Sequence, residues 1–227
     1  DSKQRPVAKS KVYLLHSDLL RKDATHPDAQ IVTGNVRFRH DSVYMYCDSA
    51  CYYDKVSSFE AFGNVKMVQG DTLFLYGDRL YYDGLTQIAE MRCNVRMENR
   101  TTTLLTDSLN YDRVYNLGYF FDGGTLMDEQ NVLTSEWGEY SPQTKQSVFN
   151  YNVKLVNPQF TLTSDTLRYN TASKIADIVG PSDIWSDANH IYSEKGTYNT
   201  VTGKADLYDR SVLTLSLIHI SEPTRRS

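Results

Sequence analysis

Apolar and polar positions alternate with a period of two along most of the chain, and the alternation itself recurs. An acidic residue stands at Asp18, Asp48, Asp78, Asp107, Glu136, Asp165 and Glu194, at intervals of 29 or 30 residues. Three positions before each acid is an apolar residue: Leu15, Met45, Leu75, Leu104, Leu133, Leu162 and Ile191. One position before it is a small residue: Ser17, Cys47, Gly77, Thr106, Ser135, Ser164 and Ser193. Four positions after the last six acids is a tyrosine: Tyr52, Tyr82, Tyr111, Tyr140, Tyr169 and Tyr198. The first copy has Lys22 instead. Register at four positions over seven copies marks an internal repeat, and a period in this range sets the whole architecture.

A second block of apolar-basic-apolar residues follows each tyrosine: Val36-Arg37-Phe38, Val65-Lys66-Met67, Val95-Arg96-Met97 and Val153-Lys154-Leu155. Gly124-Thr125-Leu126, Ser182-Asp183-Ile184 and Ser211-Val212-Leu213 are degenerate copies. Period two predicts strands with one face inward. Turn-type residues divide each repeat, at Asp83-Gly84, Asp112-Arg113 and Asn170-Thr171 on one side and at His40-Asp41, Asn99-Arg100 and Asp128-Glu129 on the other. Each unit is therefore a hairpin of two strands, and seven units predict about 14 antiparallel strands. Helical spacing is nowhere sustained.

Both strands of a unit are predicted to bend at their middle. Around each acid the apolar positions −3, +2 and +4 change parity, and an extra residue, a β-bulge, would return them all to one face. The other strand carries Gly34, Gly63, Gly123 or Gly180 near its midpoint, where glycine marks a bend. Bends aligned from strand to strand crease the sheet, turning two apolar faces towards each other. The fold class expected is all-β, an antiparallel folded sheet of about seven 29-residue two-strand repeats. Sheets pack about 10 Å apart when side chains fill the gap, and splayed faces would leave a long apolar groove. Its expected lining is Val36, Phe38, Val65, Met67, Leu75, Leu80, Val95, Met97, Leu104, Leu109, Val153, Leu155, Leu162 and Leu167. A dry core would need the same residues, and the pattern does not separate the two.

Composition adds exclusions. The 227 residues carry a formal net charge of −4, which gives no reason to expect nucleic acid as a partner. No run of apolar residues is long enough for a membrane-spanning helix, and no signal peptide is present in the chain. The expected organisation is a tail over 1–11, one β-repeat domain over 12–215, and a tail over 216–227 that does not fit the repeat. That last segment resembles a translated sequencing adapter, and it is expected to be non-native or disordered.

The acid ladder could hold catalytic carboxylates or calcium. Seven equivalent acids suit neither the unequal environments of a catalytic pair nor a glycine-aspartate nonapeptide. Acids accepting backbone hydrogen bonds freed by the bulge are favoured. Stacked tyrosines are expected to pack, rather than to bind sugars. Arg37, Arg39, Lys66, Arg96 and Lys154 are expected on a solvated outer face. The five histidines form no spaced pair, and no metal site, cofactor or catalytic residue is expected. Cys47 and Cys51 lie roughly 13 Å apart along one strand, too far to bridge. Cys93 could pair with either, so the disulfide state stays open.

The Gly34-Asn35-Val36-Arg37-Phe38 and Gly63-Asn64-Val65-Lys66-Met67 strands, followed by Asp78-Arg79-Leu80-Tyr81-Tyr82, Asp107-Ser108-Leu109-Asn110-Tyr111 and Asp165-Thr166-Leu167-Arg168-Tyr169, resemble the OstA-like family over roughly residues 12–213. This organic-solvent-tolerance group includes the periplasmic bridge of lipopolysaccharide export. The long, regular repeat is similar to that of the larger members from Bacteroidetes-type bacteria. The resemblance implies a twisted, V-shaped β-jellyroll in the periplasm, outer-membrane association being one possibility, with lipid A acyl chains sheltered inside. It also implies partners: lipopolysaccharide, and other OstA-like jellyrolls joined end to end by strand pairing. The function expected is lipopolysaccharide binding and transport, not catalysis. The alternative is a β-repeat scaffold or adhesion module without a ligand. A carbohydrate-active β-helix enzyme ranks third, since a parallel β-helix lacks paired hairpin turns.

Overall fold

The computed structural model describes residues 6, 10–187 and 189–215. The tail expected over 216–227 lies outside the described residues, as does most of the one expected over 1–11. Twenty strands follow in chain order: β1 Tyr13–His16, β2 Leu19–Asp23, β3 His26–His40, β4 Val43–Tyr53, β5 Ser58–Gln69, β6 Leu73–Asp83, β7 Ile88–Asn99 and β8 Thr102–Asp112. Then come β9 Leu117–Phe120, β10 Gly124–Asp128, β11 Asn131–Ser135, β12 Trp137–Tyr140, β13 Gln146–Asn157 and β14 Phe160–Asn170. The last six are β15 Ile175–Ile178, β16 Ser182–Ser186, β17 Asn189–Ser193, β18 Lys195–Asn199, β19 Ala205–Tyr208 and β20 Val212–Leu215. Every pairing is antiparallel, and one sheet contains them all.

Each long strand crosses a crease at its middle, and shorter strands come in pairs that break there. One face runs β1, the second half of β3, the first half of β4, and so on through β10, β11, β16 and β17 to β20. The other runs from β2 through β9, β12, β15 and β18 to β19. The folded sheet predicted from the repeat is therefore present, with hairpin turns along the two free rims.

The crease has a local cause. Thr33 pairs with Ser49 and Val36 with Cys47, so Gly34 and Asn35 together oppose Asp48. The same two-against-one count puts Gly63 and Asn64 opposite Asp78. The extra residue thus sits in the glycine-bearing strand rather than the acid-bearing one, while the acid-bearing strand changes parity as expected. Met45, Cys47, Ala50 and Tyr52 all point inward. Gly34 and Gly63 have φ of +79° and +76°, and Asn35 and Asn64 have +48° and +46°. Glycine and asparagine are the residues that tolerate this left-handed region. A Cβ on Gly63 would also lie 2.6 Å from Asp48 Oδ2, a second reason for glycine there.

The two faces close on one apolar core that runs the length of the repeat. Phe38 of one face stacks on Phe59 of the other with ring centroids 4.1 Å apart.

Candidate functional site

All fourteen residues expected to line a groove point between the two faces, and none is more than 2% exposed. The space they face is filled by their own side chains and by Tyr82, Tyr111, Tyr140 and Tyr169, which are equally buried. The structure therefore shows a packed interior. Alternation carries Arg37, Arg39, Arg96 and Lys154 to the outside, with Lys66 half-buried.

The tyrosine ladder does more than pack. Each ring belongs to one face, and its hydroxyl reaches the rim of the other. Tyr52 donates to the Val12 carbonyl at 2.7 Å. Tyr82 donates to His40 Nδ1 at 2.7 Å. Tyr111 accepts from Gln69 Nε2 at 3.4 Å and donates to Asn116 Oδ1 at 3.3 Å. Tyr140 donates to Asn99 Oδ1 at 3.2 Å. Tyr169 donates to Asp128 Oδ2 at 2.7 Å. His40, Gln69, Asn99 and Asp128 end strands β3, β5, β7 and β10, so from Tyr52 to Tyr169 each rung of the ladder fastens the open side of the fold.

Turn residues complete these locks. Lys174 Nζ reaches both carboxylate oxygens of Asp128 at 2.8 Å and Glu129 at 3.2 Å. Burial lowers the Lys174 pKa, but the bonds to the two acids outweigh it and leave it raised. Lys145 donates to Asn99 in the same way. Arg113 Nη1 donates to the Tyr82 hydroxyl and lies 3.1 Å from His40 Nδ1. His40 Nε2 is 2.9 Å from Ser10 Oγ, so the network assigns the proton to Nε2. Burial and the Arg113 charge push the His40 pKa down, against smaller opposing effects of Asp41 and the Ser10 backbone. Burial pushes Tyr82 and Tyr111 up to about 12. It pushes Tyr52 and Tyr169 higher still, with help from Asp54 and Asp128.

The crease carries a second polar ladder, exposed to solvent. The acids there accept from side-chain amides rather than chiefly from freed backbone groups. Asn35 Nδ2 donates to Asp18 at 2.9 Å, Asn64 to Asp48 at 2.8 Å and Asn94 to Asp78 at 2.6 Å. Asn152 donates to Glu136. A backbone donor appears at Asp107, which accepts from the Asn94 N–H at 3.2 Å. Sequence reasoning missed the amide donors although Asn35, Asn64 and Asn94 stand in the repeat itself.

Among the described residues no disulfide forms: Cys47 is buried, Cys51 half-buried and Cys93 exposed. Burial pushes the Cys47 thiol up to about 12, leaving it unreactive at neutral pH. Among the described residues no cluster of His, Cys, Asp or Glu could hold a metal, and no helix is long and apolar enough to cross a membrane.

No curated protein matches the chain. Among solved structures it is similar to LptH of Pseudomonas aeruginosa, the LptA-homologous periplasmic component of the lipopolysaccharide transport device. The identity is 14% and the TM-score 0.26, covering 57% of this chain and 76% of that one. The model of the family described as OstA-like protein matches residues 9–165, more than half of the chain, with Tyr52, Tyr82, Tyr111 and Tyr140 of the ladder inside the match. The chain belongs to the OstA-like family.

Proposed function

We propose that the protein is a periplasmic carrier of lipopolysaccharide that shelters acyl chains between its two faces and pairs end to end with other OstA-like jellyrolls. The carrying observation is the unbroken apolar lining on one inner side of a sheet whose open edge is held by discrete polar locks. Such a seam can open without breaking the sheet, because among the described residues no backbone ladder bond crosses it. Each CH₂ group taken from water contributes roughly 0.8 kcal/mol, so several acyl chains would offset the parting of a few locks. Exposed β1 and β20 at one pair of sheet ends, and β2 and β19 at the other, offer backbone groups for strand addition.

The filled interior supports a second reading, a β-repeat scaffold without a lipid guest. A photo-crosslinking residue at Leu80 or Leu167, compared with one at the outward Arg39 or Lys154, separates the two. The carrier predicts lipopolysaccharide crosslinks at the inward positions only. The scaffold predicts none at any of the four.

A further inference from the structure

A sizeable hollow lies outside the crease rather than between the faces. It measures about 820 Å³, and Lys66, Tyr76, Arg96, Asp78, Asp107 and Gly123 line it. Its origin is a gap in the amide ladder. Asn35, Asn64, Asn94 and Asn152 each occupy the second bulge position, with φ between +46° and +52°. Sheet register puts Gly124 where Val95 stands in the preceding unit, and so Gly123 where Asn94 stands. Gly123 keeps the left-handed backbone, at φ +84°, but has no amide to give Asp107. Among the described residues Asp107 accepts only the Asn94 backbone N–H. The missing side chain is the hollow. Pro181 makes the other such gap opposite Asp165, and a smaller outer cleft of about 360 Å³ opens beside it.

The walls are chemically mixed. Arg96 lies 4.4 Å above the Tyr76 ring centroid and Lys66 lies 5.7 Å from it, so the ring holds two cations at the cleft wall. Arg96 Nε also bonds Glu98 at 3.1 Å. Two cations face two carboxylates, and that balance favours neither a simple anion nor a simple cation. It suits a ligand whose groups donate and accept at once. Hydroxyls can donate to the free Asp107 oxygen where the other rungs use an amide, and can accept from Lys66 and Arg96. The ligand's C–H surface would meet Leu105, which is exposed at the cleft. A cleft of this size falls within the usual range for small-molecule sites, and its polar walls are wrong for an acyl chain.

We propose that this outer cleft is a saccharide-binding site, with Asp107 as the hydroxyl acceptor and Lys66 and Arg96 as donors. The site goes beyond the carrier reading and stands without it. The saccharide is either free or the sugar part of a glycolipid.

Backbone amide NMR on the whole protein tests this with three probes: lipid-free core oligosaccharide, intact lipopolysaccharide, and inorganic phosphate. The oligosaccharide is expected to move the signals of Asn94, Asp107 and Gly123. Movement with intact lipopolysaccharide alone would place the sugar on a lipid and also support the site. Gly123→Asn restores the rung, since a Cβ there meets nothing closer than the Ser135 carbonyl oxygen at 4.0 Å, with some backbone strain at φ +84°. It is expected to weaken oligosaccharide binding at least tenfold while the protein stays folded with a slightly lower melting temperature, and Asp107→Asn, which adds no backbone strain, should weaken it as well. Binding unaltered by Gly123→Asn, equal movement by phosphate, or still signals with both glycan probes would overturn the proposal. Inward crosslinks that fail while the cleft still takes oligosaccharide would sink the carrier reading alone.

Discussion

At the crease, Asn64 donates to Asp48 in full contact with solvent; at the rim, Tyr169 donates to Asp128 with neither side chain reachable by water. Both contacts recur along the chain, the crease amide being absent opposite Asp107 and Asp165, and both join side chains of neighbouring strands or faces. Their energetic standing differs because water competes for the first pair and not for the second. An exposed polar contact contributes little, whereas a buried group deprived of its partner costs its full desolvation. The crease is held by backbone geometry, with its amides as trim. The rim is held by hydrogen bonds and charge.

The strongest way to break that contrast is to remove one charge at the rim. Lys174→Met leaves the Asp128 carboxylate buried without its cation and is expected to cost about 3–5 kcal/mol, read by chemical denaturation. Adding Asp128→Asn should recover much of the loss. A cost below about 1 kcal/mol would mean that the rim is wet after all.

Alkali attacks the same border. An unfolded tyrosine titrates near pH 10, whereas Tyr82 and Tyr111 hold their protons to about 12. The folded pKa is the higher one, so the stabilisation is complete below pH 10 and is lost as pH rises from there. Each such tyrosine then contributes about 1.4 kcal/mol of loss per pH unit. Urea midpoints between pH 8 and 11.5 should be flat at first and fall steeply after pH 10. A flat profile throughout would contradict buried hydroxyls.

Acid gives a smaller effect of opposite sign. His40 is held neutral, so its folded pKa is below the unfolded value near 6.5. Stability is complete above about pH 6.5 and declines as pH falls below it, because the unfolded chain takes up the proton first. Protonation would also cost Nδ1 its role as acceptor for Tyr82. His40→Gln should flatten the melting temperature between pH 7 and 5.5, and an unchanged slope would place the titration elsewhere.

The smallest effect is expected at the crease. Asn64→Gly keeps the left-handed backbone and removes only the exposed amide, so denaturation should shift by no more than about 0.5 kcal/mol. A loss of 2 kcal/mol would place the crease on the same footing as the rim.

The creased hairpin was legible because Met45, Cys47, Ala50 and Tyr52 break parity around Asp48 in a way that only a bend can satisfy. The rim was not. His40, Gln69, Asn99 and Asp128 stand at regular intervals, but as an imidazole, two amides and a carboxylate they share no residue type. His40, Asn99 and Asp128 read as turn residues and Gln69 went unread, although polar side chains at inward parity were the available sign. Whether the fourteen inward residues form a groove or a core was beyond any pattern, since both arrangements need the same alternation. The outer cleft was hidden for a different reason: it is made by what Gly123 lacks.

One property follows from giving every crossing its own bend and its own fastening. The seam has no single hinge, so one rung could part while its neighbours stay shut. A guest wedged at one rung could move on by releasing the next and letting the last re-form behind it. The cost of such a travelling swelling depends on the width of the guest and not on the length of the path. On the proposed carrier reading, a longer chain of the same rungs would therefore move a guest farther at no greater barrier.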